Sequence, residues 1–137
     1  MGIDVGIDIA MILRLLLAAA LGAIIGYQRE RAGKPAGLRT HILICVGAAL
    51  FTVVSLYGFD GGADPSRVAA AVVVGIGFLG AGAIMHREGA LVAGLTTAAT
   101  IWVVAGIGLA VGAGFYVASV VTTVIVLIVL FLPHPIQ

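Results

Sequence analysis

A few polar side chains stand out in an otherwise apolar chain: Arg14, Glu30, Arg31, Arg39, Thr40, Arg87, Glu88, Thr96 and Thr97. Arg14 lies inside the first apolar run. A charge within a membrane is costly, so an inward-facing Arg14 marks a functional site, with Asp8, Asp60 and Asp64 as candidate partners on that side. The other reading is snorkelling to the headgroups. Glu30 and Glu88 each follow an arginine, with Arg31, Lys34, Arg39, His41 and His86 around them. These groups mark a polar face where anions, lipid headgroups or a protein partner could be held. Arg29 and Lys34 read as ordinary solvated anchors of that face. Thr96, Thr97 and Thr100 open an apolar run; one would cap a helix, or the helix N-terminus would face an anion, a carboxylate or a partner.

The elements that must position these groups follow from composition. The chain is 62% hydrophobic and 9% charged, where a soluble domain carries about 25% charged residues. Its mean hydropathy is +1.26. Lipid is therefore the expected solvent, and helices are the expected spanning form because they satisfy their own backbone. A span needs about 20 apolar residues. Five segments qualify, at roughly 9–27, 41–57, 67–85, 95–112 and 115–132. The expectation is an all-α polytopic bundle forming one transmembrane domain over residues 1–137. The loops after the first and third segments carry Arg29, Arg31, Lys34 and Arg39, and His86, Arg87 and Glu88. Lys and Arg favour the cytoplasmic side of short loops, which places the N-terminus out and the C-terminus in. The acidic N-terminus, with Asp4 and Asp8, is not the basic start of a cleaved signal peptide.

The chain reads as one helical hairpin used twice. Leu21-Gly22-Ala23 recurs as Leu79-Gly80-Ala81, and Arg29-Glu30 as Arg87-Glu88 at the same offset. Ala36-Gly37-Leu38 and Thr40 recur as Ala93-Gly94-Leu95 and Thr97. Helices 1–2 and 3–4 would then form a tandem parallel repeat, the fifth standing alone. Residues 14, 18, 22 and 26 share one helix stripe. Gly22 with Gly26, and Gly108 with Gly112, let helices approach closely. The simpler use of these small residues is to hold the bundle together. Trp102, well inside the fourth segment, is expected to pack. Asp64-Pro65 reads as an N-cap followed by proline at the first helical position.

The stretches Leu21-Gly22-Ala23-Ile24-Ile25-Gly26-Tyr27-Gln28-Arg29-Glu30-Arg31 and Pro35-Ala36-Gly37-Leu38-Arg39-Thr40-His41 resemble the membrane domain of the MgtC/SapB family. So do Gly75-Ile76-Gly77-Phe78-Leu79-Gly80-Ala81-Gly82 and Gly94-Leu95-Thr96-Thr97-Ala98-Ala99-Thr100-Ile101-Trp102. The resemblance covers nearly the whole chain and implies a bacterial inner-membrane protein linked to growth in low magnesium and, in some relatives, to virulence. This sequence departs from the family at Gln28, often acidic there, and at Ala93, often basic.

Three functions are weighed. The first is a non-enzymatic inner-membrane protein of magnesium homeostasis, acting through membrane lipids, another membrane protein or its own homo-oligomer. The second is a transporter or channel for an ion or small anionic substrate. No carboxylate falls near the middle of a span, although magnesium favours one or two. The third, an enzyme, is weakest: there is no phosphate loop with lysine, no HExxH and no nucleophile motif. Cys45 lies in an apolar run. No cofactor is expected, a metal is left open, and nucleic acid is an unsuitable partner because the basic groups sit at a membrane face.

Overall fold

In a computed structural model, residues 5–59, 64–86 and 92–133 are described. They form five helices: α1 (Val5–Arg31), α2 (Leu38–Tyr57), α3 (Ser66–Ala83), α4 (Leu95–Gly112) and α5 (Tyr116–Leu130). Two-residue strands β1 (Met85–His86) and β2 (Val92–Ala93) pair antiparallel between α3 and α4. The all-helical expectation holds. Four helices are long and apolar enough to cross a membrane, namely α1 through α4. The fifth has 15 residues, about 22 Å at 1.5 Å per residue, short of a hydrocarbon core of roughly 30 Å.

Helix α1 departs most from the expected boundaries: it begins earlier, at Val5, and runs on through Arg29 to Arg31 instead of stopping near Tyr27. Its ending explains why. Gly33, at φ +73°, takes the left-handed conformation that glycine adopts without strain. Gly33 N–H then donates to Glu30 O, and Lys34 N–H to Arg29 O. This is a Schellman ending, in which orphan carbonyls of the last turn are satisfied by the chain that follows. The same device closes α4: Gly114, at φ +89°, donates to Val111 O, and Phe115 N–H to Ala110 O. Arg39 and Thr40 likewise belong to the first turn of α2 and not to the loop.

The N-cap expected at Asp64 is shifted by one residue, since α3 starts at Ser66 after Pro65. Asp64 nonetheless accepts from Ser66 N–H at 2.9 Å and Ser66 Oγ at 2.7 Å. The hydroxyl and then the amide hold its carboxyl below the ordinary carboxylate range. Its contribution to the start of α3 is present above that range and fades as pH falls through the lowered value.

The bundle is organised around α2. On one side Gly22 and Gly26 of α1 meet it: a Cβ on Gly22 would lie 2.7 Å from His41 O and 2.9 Å from Cys45 Cβ. On the other side Gly108 abuts the Cys45 carbonyl, and a Cβ on Gly112 would lie 2.6 Å from Ala49 O. Both glycine pairs are therefore spent inside the chain, as the simpler reading expected. The core between them contains Ala18, Leu21, Ile25, Cys45, Ala49, Val104, Ile107 and Val111. Two contacts echo each other across the hairpins. Gly22 faces the carbonyl of His41, and Gly80 faces that of Ala98, at 3.4 Å from a Cβ placed on it.

Helix α3 lies mostly on the outside, with Val74 75% and Phe78 82% exposed. It leans on α4, and α3, α4 and α5 border an apolar groove of about 300 Å³ lined by Val73, Trp102, Gly106, Ala110 and Ala118. Trp102 is 54% exposed at this groove, so the expectation that it packs inside fails.

The glycine contacts predict opposite outcomes for two neighbouring substitutions. Gly108→Ala should lower stability by about 1–3 kcal/mol, because its Cβ overlaps α2 backbone. Gly106→Ala, with open space at its Cβ, should be neutral or stabilising by up to about 1 kcal/mol. Unfolding of both variants in detergent measures the difference.

Candidate functional site

Helix α1 carries an arginine at either end of its glycine stripe. Arg14 precedes Ala18, Gly22 and Gly26 at intervals of four, and Arg29 follows Gly26 by three. Since i, i+3 and i+4 share a face, both arginines are aimed into the bundle by the stripe that brings α1 against α2.

At the Arg14 end, Nε donates to Tyr116 Oη at 2.8 Å, and Nη1 to Tyr57 Oη at 3.2 Å and Gly112 O at 3.0 Å. The guanidinium also stands over the rings of Tyr57 and Tyr116, 5.6 and 5.9 Å from their centroids. One side chain thus joins α1 to the ends of α2 and α4 and the start of α5. A cation at the C-terminus of α4 complements its helix dipole, and a cation over aromatic faces gains further. Arg14 bonds to groups of the bundle while remaining partly exposed at its end, with partners other than the acids expected from sequence. Neither Asp8 nor Asp64 pairs with Arg14, and Asp60 lies outside the described residues.

At the other end the buried charge is Arg29, whereas Glu30, the candidate from sequence, is exposed. Arg29 is 3% exposed, and its Nη2 donates to Thr97 Oγ1 at 2.8 Å. The reading of Arg29 as a solvated anchor is therefore corrected: the extra turn of α1 carries it under α4. His41 is fully buried, and its Nδ1 is 2.8 Å from Gly37 O. A carbonyl can only accept, so Nδ1 carries a proton, and in the uncharged tautomer Nε2 would be the acceptor. Three buried polar atoms lack partners among the described residues: Gln28 Oε1, Arg29 Nε and His41 Nε2.

The remaining expected site residues divide. Glu30 is exposed, and its Oε1 accepts from Leu38 N–H at 3.3 Å. It serves the N-terminus of α2, where a negative charge is favoured. Arg31 is exposed over Tyr27, 5.9 Å from the ring centroid, and Arg39 and Thr40 are exposed. Thr97 is buried on Arg29, and Thr96 gives only its carbonyl, to the Thr100 hydroxyl at 2.7 Å. None of the three threonines caps α4, whose N-cap is Gly94 at φ +92°. Arg87 and Glu88 lie outside the described residues. Sequence reasoning named His41 only as part of the polar face and Gln28 only as a departure from the family, and did not foresee the burial of Arg29. The available signal was position 29 on the glycine stripe of α1.

A cluster of three or more His, Cys, Asp or Glu able to hold a metal is not found among the described residues. The chemistry this end offers is cationic: a buried guanidinium, a neutral imidazole and a threonine hydroxyl.

Together these features define a small helical membrane protein, tied by an inward arginine at each end. The MgtC family model matches residues 15–137, so the chain belongs to the MgtC family. It is 50% identical over 130 residues to YhiD of Escherichia coli K12, whose name carries a provisional assignment as a magnesium transporter; the match covers 90% of this chain and 60% of that protein. It is 42% identical over 135 residues to SapB of Bacillus subtilis, covering 93% of this chain and 58% of that one. With MgtC of Brucella abortus it shares 48% over 118 residues, or 86% and 49% of the two chains. The chain thus spans about half to three fifths of the length of these relatives. No solved structure matches it.

The Arg29–Thr97 contact predicts that Thr97→Val destabilises the bundle by about 1–3 kcal/mol, because a buried guanidinium N–H loses its acceptor. Thr96→Val should cost clearly less. Denaturant or heat unfolding of the two variants, compared at one detergent concentration, reads this.

Proposed function

We propose that this chain is the transmembrane module of a non-enzymatic, bacterial inner-membrane protein of magnesium homeostasis, and that it acts through a partner without conducting magnesium itself. The observation that carries this reading is the sign of its inward charges. Arg14 and Arg29 stand at opposite ends of the α1 stripe, and the described spanning segments place no carboxylate between them. Magnesium sheds water reluctantly and is usually bound by one or two carboxylates. Two inward guanidinium groups raise the cost of a cation there.

The partner in this reading is a second copy or another membrane protein, together with surrounding lipid. The outer face of α3, with Val74 and Phe78 exposed, supports such a contact. The arrangement with the N-terminus out is part of the same proposal, supported by the basic loops, and a C-terminus inside requires the shorter α5 to cross as well. The tandem hairpin is supported by the shared helix starts at Leu38 and Leu95 and by the paired Gly22–His41 and Gly80–Ala98 contacts. A role in virulence comes only from the family resemblance.

The second reading, a transporter, is favoured by the name of the Escherichia coli relative. Purified protein in liposomes loaded with a magnesium-sensitive dye separates the two. The expected result is magnesium entry equal to that of protein-free liposomes. Protein-dependent entry abolished by Glu30→Gln would establish conduction and remove the first reading.

A further inference from the structure

Among the described residues, Arg29 has no carboxylate to balance it. Its guanidinium is almost wholly buried, with Nη2 on Thr97 and Nε without a partner among those residues. The described carboxylates do not neutralise it. Asp8 and Asp64 belong to the Arg14 end, and Glu30 is exposed with an oxygen on Leu38 N–H. The neighbouring helix ends add charge of the same sign. Thr97 is in the first turn of α4 and His41 in the first turn of α2, and a helix N-terminus carries roughly half a positive charge. Glu30 serves α2, but α4 has no side-chain cap. The C-terminus of α1 would favour a cation, yet the Arg29 and Glu30 carbonyls are already taken by Lys34 and Gly33 N–H. An uncompensated buried ion is strongly unfavourable even after relaxation.

We propose that Arg29 Nε–H and the uncapped N-terminus of α4 bind a compact anion. The ligand class is an acceptor of charge-assisted hydrogen bonds small enough to sit between packed helices: a halide, or one oxygen of a phosphate group. A free ion and a lipid phosphate offer the same chemistry. His41 Nε2, an acceptor in the neutral ring, stays outside the anion's shell. The site does not rest on the magnesium reading and would stand if that reading failed.

The test uses the full chain purified in detergent, in gluconate buffer of fixed ionic strength. Replacing gluconate by chloride or inorganic phosphate should raise the unfolding midpoint saturably, by about 5 °C at large excess over Kd. The rise should vanish in Arg29→Gln and persist in Lys34→Gln. A rise produced only by added phosphatidylglycerol, and lost in Arg29→Gln, identifies the lipid phosphate as the source. No rise with any of the three, or an equal rise in Arg29→Gln, overturns the site. So does Glu88→Gln destabilising non-additively with Arg29→Gln, which would make a carboxylate of the chain the counter-ion. Should Arg29→Gln fail to fold, chlorine-35 line broadening by the unmodified protein, competed by phosphate, reads binding directly. Absence of both that broadening and the lipid-dependent rise overturns the proposal.

Discussion

The fold depends on how closely α2 can be approached from two sides. Gly22 and Gly26 admit its backbone against α1, and Gly108 and Gly112 admit it against α4. In lipid there is little hydrophobic drive between helices, so close van der Waals contact must supply much of the association. A methyl group at Gly22, Gly108 or Gly112 would separate the helices at the level of Cys45 and Ala49. That separation would also lift Arg14 from Tyr57, a contact that spans the α1–α2 pair. It would disturb Arg14–Gly112 and Arg29–Thr97, which join α1 to α4, because both helices pack on α2. Packing at the centre therefore fixes the polar contacts at both ends.

Much of this was legible in residue order. Apolar length gave all five helices, and spacing by four put Arg14 on the glycine stripe. The polar end was harder to read, for two physical reasons. The run of charges from Arg29 to Arg39 resembles a solvated loop, whereas a Schellman ending at Gly33 lets α1 keep its last turn helical through that run. Burial of Arg29 also depends on α4, which lies far away in sequence and presents Thr97 only because its helix starts at Leu95. The match of Arg29-Glu30 with Arg87-Glu88 drew attention to Glu30, but the adjacent residue on a helix points about 100° away. Glu30 faces the exposed start of α2 while Arg29 faces the core.

The two arginines are solved differently by their surroundings. Arg14 is met by two phenol oxygens, two ring faces and an orphan carbonyl at a helix C-terminus, all of which favour a cation. Among the described residues Arg29 meets one hydroxyl and the N-terminus of a helix, which do not balance it. Arg14 thus reads as a clamp complete within the chain, and Arg29 as a group that calls for something more.

Cys45, the one cysteine, reports on the central packing directly. It is fully buried where α1, α2 and α4 meet, beside Gly22 and Gly108. The rate at which N-ethylmaleimide modifies it in native membranes, followed by mass spectrometry, measures whether that junction is closed. A closed junction predicts almost no adduct over the time in which the same protein is fully labelled in SDS. Labelling at similar rates in membranes and in SDS would contradict the glycine-mediated core and the placement of both arginines with it.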